Sequence, residues 1–484
     1  MITNYEIFDI SALIILVAIL SFYLYKNKSK LKTEGALLLY KTSWGVKLID
    51  YIGKRYKNSL KVLSYVSIFF GYILMISISY LFANTFWSYL TKPELAETIK
   101  APPIAPLIPY FPQLFGLSNY FPVFYGLYFI VAILIVATVH EFSHGIFARR
   151  YGVKIKSTGF AFLKYFPAIF GAFVEQDDKD MNKKTKFQQM SILSAGVFAN
   201  LIITVLFFFF VIIYFNLMFI PSGVIFSGYS YSPVSINEIT SVNGVMIENS
   251  NYNKILNITE NFNETVLFKV TAGDKSYLAN GQFLKAQENS SYIYLFEDAP
   301  AINVKLNGII VKLNEENVKN FNDFEKKFSK LSPGEKIIIT TKIPNGYKEN
   351  EILLGENPRI NGKAYLGVMF VNGKNYFYGE FIHFFTSLKQ ENLYFKGNTF
   401  YESRYLKFSE FFYYLLWWIV FINLLVALFN MLPLGILDGG RFFYLTILGI
   451  TNSKKIAEFS FKGITYLILL LLALIMVRWV FAII

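Results

Sequence analysis

The chain has 484 residues, of which 54% are hydrophobic, 19% aromatic and only 16% charged, with a formal net charge of +13 and no cysteine. So little charge among such long apolar runs excludes an ordinary soluble protein, and the lack of cysteine excludes disulfides and thiolate metal sites, leaving His, Asp and Glu as metal donors. Nor does the positive charge point to nucleic acid, because the lysines and arginines sit in short loops beside apolar runs, as the positive-inside bias of membrane proteins produces.

Stretches of about 20 apolar residues, the length that crosses a bilayer as a helix, are predicted at roughly Ile7 to Tyr25, Val62 to Leu81, Phe124 to Ala148, Ile192 to Met218, Phe411 to Leu432 and Ile464 to Ile484. The expected fold class is therefore a polytopic α-helical membrane protein with about six transmembrane helices. Glu6 and Asp9 stand at the start of the first run and lysines follow it, the reverse of a signal peptide, so cleavage is not expected. The first two spans and the loop between them make up residues 1–83. That loop holds ten lysines and arginines from Lys26 to Lys61 against Glu34 and Asp50, which places it in the cytoplasm and the N-terminus outside. A nearly neutral, Pro-rich loop, residues 84–122, containing APPIAPLIPYFPQLFG, then falls outside.

Residues 123–220 are read as a core of spans three and four. The third span contains His140, Glu141 and His144. A charge at mid-bilayer costs about 2.5–3.5 kcal/mol on insertion scales, so three ionisable groups in one span need a reason. On a helix, residues four apart share a face, which brings two imidazoles to one metal with Glu141 beside it, the H-E-x-x-H arrangement. Two of the three histidines in the chain lie in this motif. After it, the apolar stretch from Ser157 to Glu175 is broken by Gly159, Pro167 and Gly171, which suggests a membrane-embedded hairpin whose edge can pair with an extended peptide.

A polar insert of about Pro221 to Gly379 reads as β-rich and extracytoplasmic, with short β-branched runs between Asn/Gly turns. Sequons at Asn257, Asn263 and Asn289 fit that side, although another at Asn27 lies on the expected inner side. The insert repeats itself. SPVSINEITSVNGVMIEN from Ser232 recurs as APAINVKLNGIIVKLNEENVKN from Ala299, setting Asn243 against Asn314 and Asn249 against Asn320. It resembles two PDZ domains in tandem, with modules at 221–298 and 299–379. A linker at 380–410 carries ENLYFKG from Glu391, which resembles a protease-recognition tag. Residues 411–484 hold spans five and six.

A catalytic zinc site wants a third protein ligand and a fourth position for water. His383 falls on the other side of the membrane, so that ligand must be an acid. The fifth span ends in FNMLPLGILDGGRFF, which brings Asp438 to the depth of His140 and His144. Asp438 also suits the N-cap of a following helix, and Glu175 and Asp177 are rival ligands.

HEFSH within a span, GAFVEQDD, AGVFAN and LDGG together resemble the site-2 protease family of intramembrane zinc metalloproteases, with a layout similar to its six-span archaeal members. The resemblance implies one zinc per chain held by His140, His144 and Asp438, Glu141 as the catalytic carboxylate, and Asn200 near the active site. Val197 stands where the family has Pro, so the helix there is expected to run straighter. The match to NxxPxxxLDG runs without a gap from Asn430 through Pro433 to Asp438. The implied activity is hydrolysis of peptide bonds inside single-span membrane protein substrates, in a multi-pass cell-membrane protein whose active site lies toward the cytoplasm. An inactive PDZ scaffold would be favoured by loss of Glu141 or a ligand, and none is lost. A zinc or ion transporter would need polar residues spread through several spans, and here they gather at one depth.

Overall fold

The computed structural model describes residues 4–91, 107–118, 121–287, 291–370, 395–396, 398–405 and 407–483. The expectations resting on His383, Asn289 and most of ENLYFKG and of the Pro-rich loop lie outside the described residues. The chain divides into two compact units, one containing the long apolar helices and one formed by the insert.

The longer helices of the first unit are α1 (Asn4–Lys26), α2 (Trp44–Arg55), α3 (Lys57–Thr91), α4 (Gly126–Arg150), α5 (Lys186–Met218), α6 (Lys407–Asn430), α7 (Asp438–Thr451) and α8 (Lys454–Ile483). Six of them, all but α2 and α7, are long and apolar enough to cross a membrane, at the places the sequence predicts. Only 11% of the apolar window of α1 and of α8 is buried, against 33–39% for α4, α5 and α6, so these last three form the centre. Side chains such as Ile14, Phe22, Tyr466 and Phe481 are left facing outward, as a lipid solvent permits. α5 runs unbroken through Val197, as expected where Pro is missing.

Between apolar helices in lipid, close approach has to come from small residues and a few polar contacts rather than from the hydrophobic effect. α3 meets α5 in this way. A Cβ on Gly71 would stand 3.1 Å from the Cβ of Ser194, and Ser194 Oγ donates to Ser67 Oγ at 3.1 Å. α1 docks on α4 through a carboxylate. Asp9 is fully buried and accepts from Gly126 N–H (2.8 Å), Leu127 N–H (2.9 Å) and Tyr110 O–H (2.7 Å), taking up two of the amides that the start of a helix leaves unpaired.

A four-stranded antiparallel sheet completes this unit: β1 (Leu31–Glu34), β2 (Leu37–Thr42), β3 (Ile155–Leu163) and β4 (Phe166–Gln176), in that order. The hairpin expected between spans three and four is the β3–β4 pair. β1 and β2, from the basic first loop, were not expected there. Gly159 makes the crossing possible, since a Cβ at that point would lie 2.0 Å from Tyr40 O.

In the second unit the internal repeat is real, and its copies match turn for turn. Asn243 and Asn314 both take left-handed backbone (φ 47° and 55°), and their N–H groups donate to Lys269 O and Ile338 O, each at 2.7 Å. Asn tolerates this conformation better than other non-glycine residues. Each copy then runs through a short strand into a helix, Tyr252–Thr259 or Phe321–Phe328, and a hairpin. Those helices are capped by Asn251 and Asn320, so the structural partner of Asn320 is Asn251 rather than Asn249; the loop of the first copy is longer.

The module boundaries also differ from expectation. The six-stranded sheet of the first copy begins only at Tyr231–Ser235. Phe219–Val224, expected to straddle the core and the first module at residue 221, and Thr399–Ser403, expected in the linker, pair with each other inside the sheet of the second copy, and Ile310 pairs with Val224. Strand pairing across so many residues leaves no local trace in sequence.

Candidate metal centre

His140, Glu141 and His144 lie in the second half of α4, and the four-residue spacing sets both imidazoles on one face. Their Nε2 atoms are 3.0 Å apart. Asp438 Oδ2 completes a triangle, 3.1 Å from His140 Nε2 and 3.2 Å from His144 Nε2. Both histidines are buried.

Asp438 arrives by a tight turn after α6. It is the first helical residue of α7, whose cap position is Leu437, so its carboxylate is not spent on capping and faces the histidines. The two glycines that follow are required by space: a Cβ on Gly439 would be 2.3 Å from the backbone of Met431, and one on Gly440 2.3 Å from Leu434 O. LDGG is thus a carboxylate followed by two residues able to tuck under the preceding turn.

The rival acids are engaged elsewhere. Glu175 accepts from Lys41 Nζ (2.7 Å) and Ser157 Oγ (2.6 Å). Asp177 caps a short helix through the N–H groups of Lys179 and Asp180, and pairs with Lys156 at 3.4 Å.

The far nitrogens of the two rings are held as well. His144 Nδ1 lies 2.7 Å from Ile192 O, so it carries the proton and leaves the Nε2 lone pair for the triangle. Behind His140 stands Asn200, fully buried, its Nδ2 3.1 Å from His140 Nδ1 and its Oδ1 without a hydrogen-bond partner. Turning the amide end for end lets Oδ1 accept the Nδ1 proton and frees the His140 Nε2 lone pair. Asn200 thus touches the His140 ring on the side away from the triangle.

One participant escaped sequence reasoning. Gly196 of α5 faces the triangle so closely that a Cβ there would be 2.5 Å from His144 Nε2 and 2.8 Å from His140 Nε2. It is the glycine of AGVFAN, and the position of that motif was its only signal. Glu141 turns to the sheet, where its Oε2 accepts from Val174 N–H of β4 at 3.2 Å.

Two imidazoles and a carboxylate are a donor set that suits zinc and leaves a position open for water. A tetrahedral ion with bonds of about 2.0–2.1 Å keeps its donors roughly 3.3 Å apart, close to the spacing found. The residues fit the metal. A cavity of about 690 Å³ takes in the triangle, Glu141, Asn430, and Ala172, Val174 and Gln176 of β4.

Residues 128–476 match the model of Peptidase family M50. The chain is also similar to an uncharacterized protein of Methanocaldococcus jannaschii, with 32% identity over 202 residues, covering 40% of this chain and 49% of the relative. It thus spans about half the length of that relative.

Proposed function

Because the chain belongs to peptidase family M50, the site-2 protease family, whose members are zinc metallopeptidases, we propose that it is an intramembrane zinc endopeptidase cutting peptide bonds within transmembrane segments. The observation that carries this reading is the triangle of His140 Nε2, His144 Nε2 and Asp438 Oδ2, all within 3.2 Å of one another, beside the Glu141 carboxylate. His140, His144 and Asp438 would hold one zinc, which when bound acts as a Lewis acid, polarising a carbonyl and lowering the pKa of water toward about 7. Glu141 takes the proton of the attacking water and passes it to the leaving amine. Asn200 and Ile192 O keep the two imidazoles in the required tautomers.

A helical substrate hides its carbonyls in its own hydrogen bonds and has to unwind before attack. β4 is the outer strand of its sheet and lines the cavity, so an unwound segment can add to it as a further strand. The substrates proposed are single-span membrane proteins. Loop charge puts the insert outside and the active site toward the cytoplasm, so the insert acts on which substrates approach, as a filter against bulky ectodomains. A scaffold or transporter role is not favoured, since the donor set and Glu141 are all present and gathered at one point.

The test is metal analysis of the purified protein beside cleavage of a single-span peptide in detergent. About one zinc per chain and chelator-sensitive cleavage are expected. A zinc-loaded protein that cuts no transmembrane peptide, with or without its insert, would overturn the reading.

A further inference from the structure

The alternation of β4 determines which of its backbone groups are free. Asp177 N–H donates to Lys154 O, whereas Val174 N–H turns away from β3 to Glu141, so by the alternation of an antiparallel strand the odd-numbered residues turn their polar groups to β3. The outward set is then Phe170, Ala172, Val174 and Gln176, the last three of which line the cavity. Such outward groups are what a substrate strand would pair with. The central one is already taken, because Val174 N–H donates to Glu141 Oε2 at 3.2 Å. One N–H therefore faces two claims: from the carboxylate that serves as base, and from the backbone carbonyl of an added strand.

We propose that Glu141 and the substrate backbone compete for the N–H of Val174, so that strand addition to β4 displaces the carboxylate from a resting hydrogen bond and frees it to act as base. The inference rests on the protease reading above. It makes Val174 N–H a positioning group whose occupancy reports whether an extended segment is in place. A helical segment, or a detergent tail, does not offer a carbonyl to that N–H and leaves Glu141 where it is.

The experiment compares two inactive variants, Glu141→Gln and Glu141→Ala, both zinc-loaded, for binding a fluorescent single-span peptide that the unaltered protein cleaves. The Gln side chain keeps an oxygen able to accept from Val174 N–H, whereas Ala removes the competitor. About tenfold tighter binding by Glu141→Ala is expected, the worth of one hydrogen bond. Replacing Val174 by its α-hydroxy acid, which turns the amide into an ester without the N–H, should abolish the difference between the variants. Equal binding by Glu141→Gln and Glu141→Ala, or a difference that persists in the ester background, would overturn the competition. If the unaltered protein fails to cut the peptide, the protease reading falls and takes this inference with it; if it cuts while the variants bind alike, only this inference falls.

Discussion

The α-carbon of Gly196 faces His144 with no space for a side chain, since a Cβ built on it comes within 2.5 Å of Nε2. Contacts that close force helices or rings to move. Gly196→Ala should therefore weaken zinc binding at least tenfold by pushing the imidazoles out of register, whereas Gly171→Ala, where a Cβ meets nothing within 4 Å, should leave it unchanged. Chelator competition on the two variants measures this, and equal affinities would show that α5 yields without cost.

Glu141 is tied to the sheet, not to the donor triangle. Glu141→Gln is expected to lower peptide hydrolysis by about 10²–10⁴, the usual worth of a general base, with zinc content unchanged. Loss of zinc in step with activity would place Glu141 among the ligands.

Asp438 is the acid that meets both histidines, while Glu175 and Asp177 are held by lysines and backbone amides. Asp438→Ala should lose zinc and activity together, and Glu175→Ala and Asp177→Ala should keep the metal. Full zinc retention in the Asp438 variant would remove it from the donor set.

The hydrogen bond from Lys41, with help from Ser157, holds the Glu175 carboxyl below its ordinary pKa. A carboxylate depressed on folding adds stability that is complete above its unfolded-state pKa and is lost as pH falls through the lower folded value. Acidification below the usual carboxylate range should thus destabilise the sheet more in the unaltered protein than in Glu175→Gln. Thermal unfolding of the two, followed from neutral pH downward, would show a gap that narrows with acid, and a constant gap would contradict the linkage.

Phe219 and Ser403 are partners at the closed end of a strand pair, so the ends of the insert are only about 5 Å apart. Excising residues 219–403 with a linker of a few residues should leave the helical unit intact, whereas the boundaries read from sequence would strand Thr399–Ser403 without its partner. If the insert filters by size, the excised protein should cut a substrate with a large folded ectodomain that the full chain cuts poorly. Equal cleavage of trimmed and untrimmed substrate by the full chain would count against a filter.

The legible parts were those written in short spacings. Six apolar runs became six helices, His140 and His144 met at one turn of α4, and the third donor could be sought in Asp438 because cysteine was absent. The illegible parts depend on distant pairing or on space. LLLYKT gives no sign that it will lie against IKSTGFAFL more than a hundred residues on, and nothing in AGVFAN says that its glycine is where the imidazoles need room. Asn200 was placed near the site by motif, yet only the geometry shows it behind the His140 ring, 3.1 Å from Nδ1.

The buried carboxylate of Asp9 has a bearing on how the protein is made. Until the first span is in place, the opening amides of α4 and the hydroxyl of Tyr110 lack an acceptor at the apolar end of the helix that carries the histidines. In lipid each such orphan costs several kcal/mol. The first span also needs a narrow neighbour, since a Cβ on Gly126 would strike Leu13 at 2.2 Å. α1 thus works as a template: a nascent chain can enter the bilayer span by span, but the active helix becomes seated only once its start has found the carboxylate carried more than a hundred residues before it.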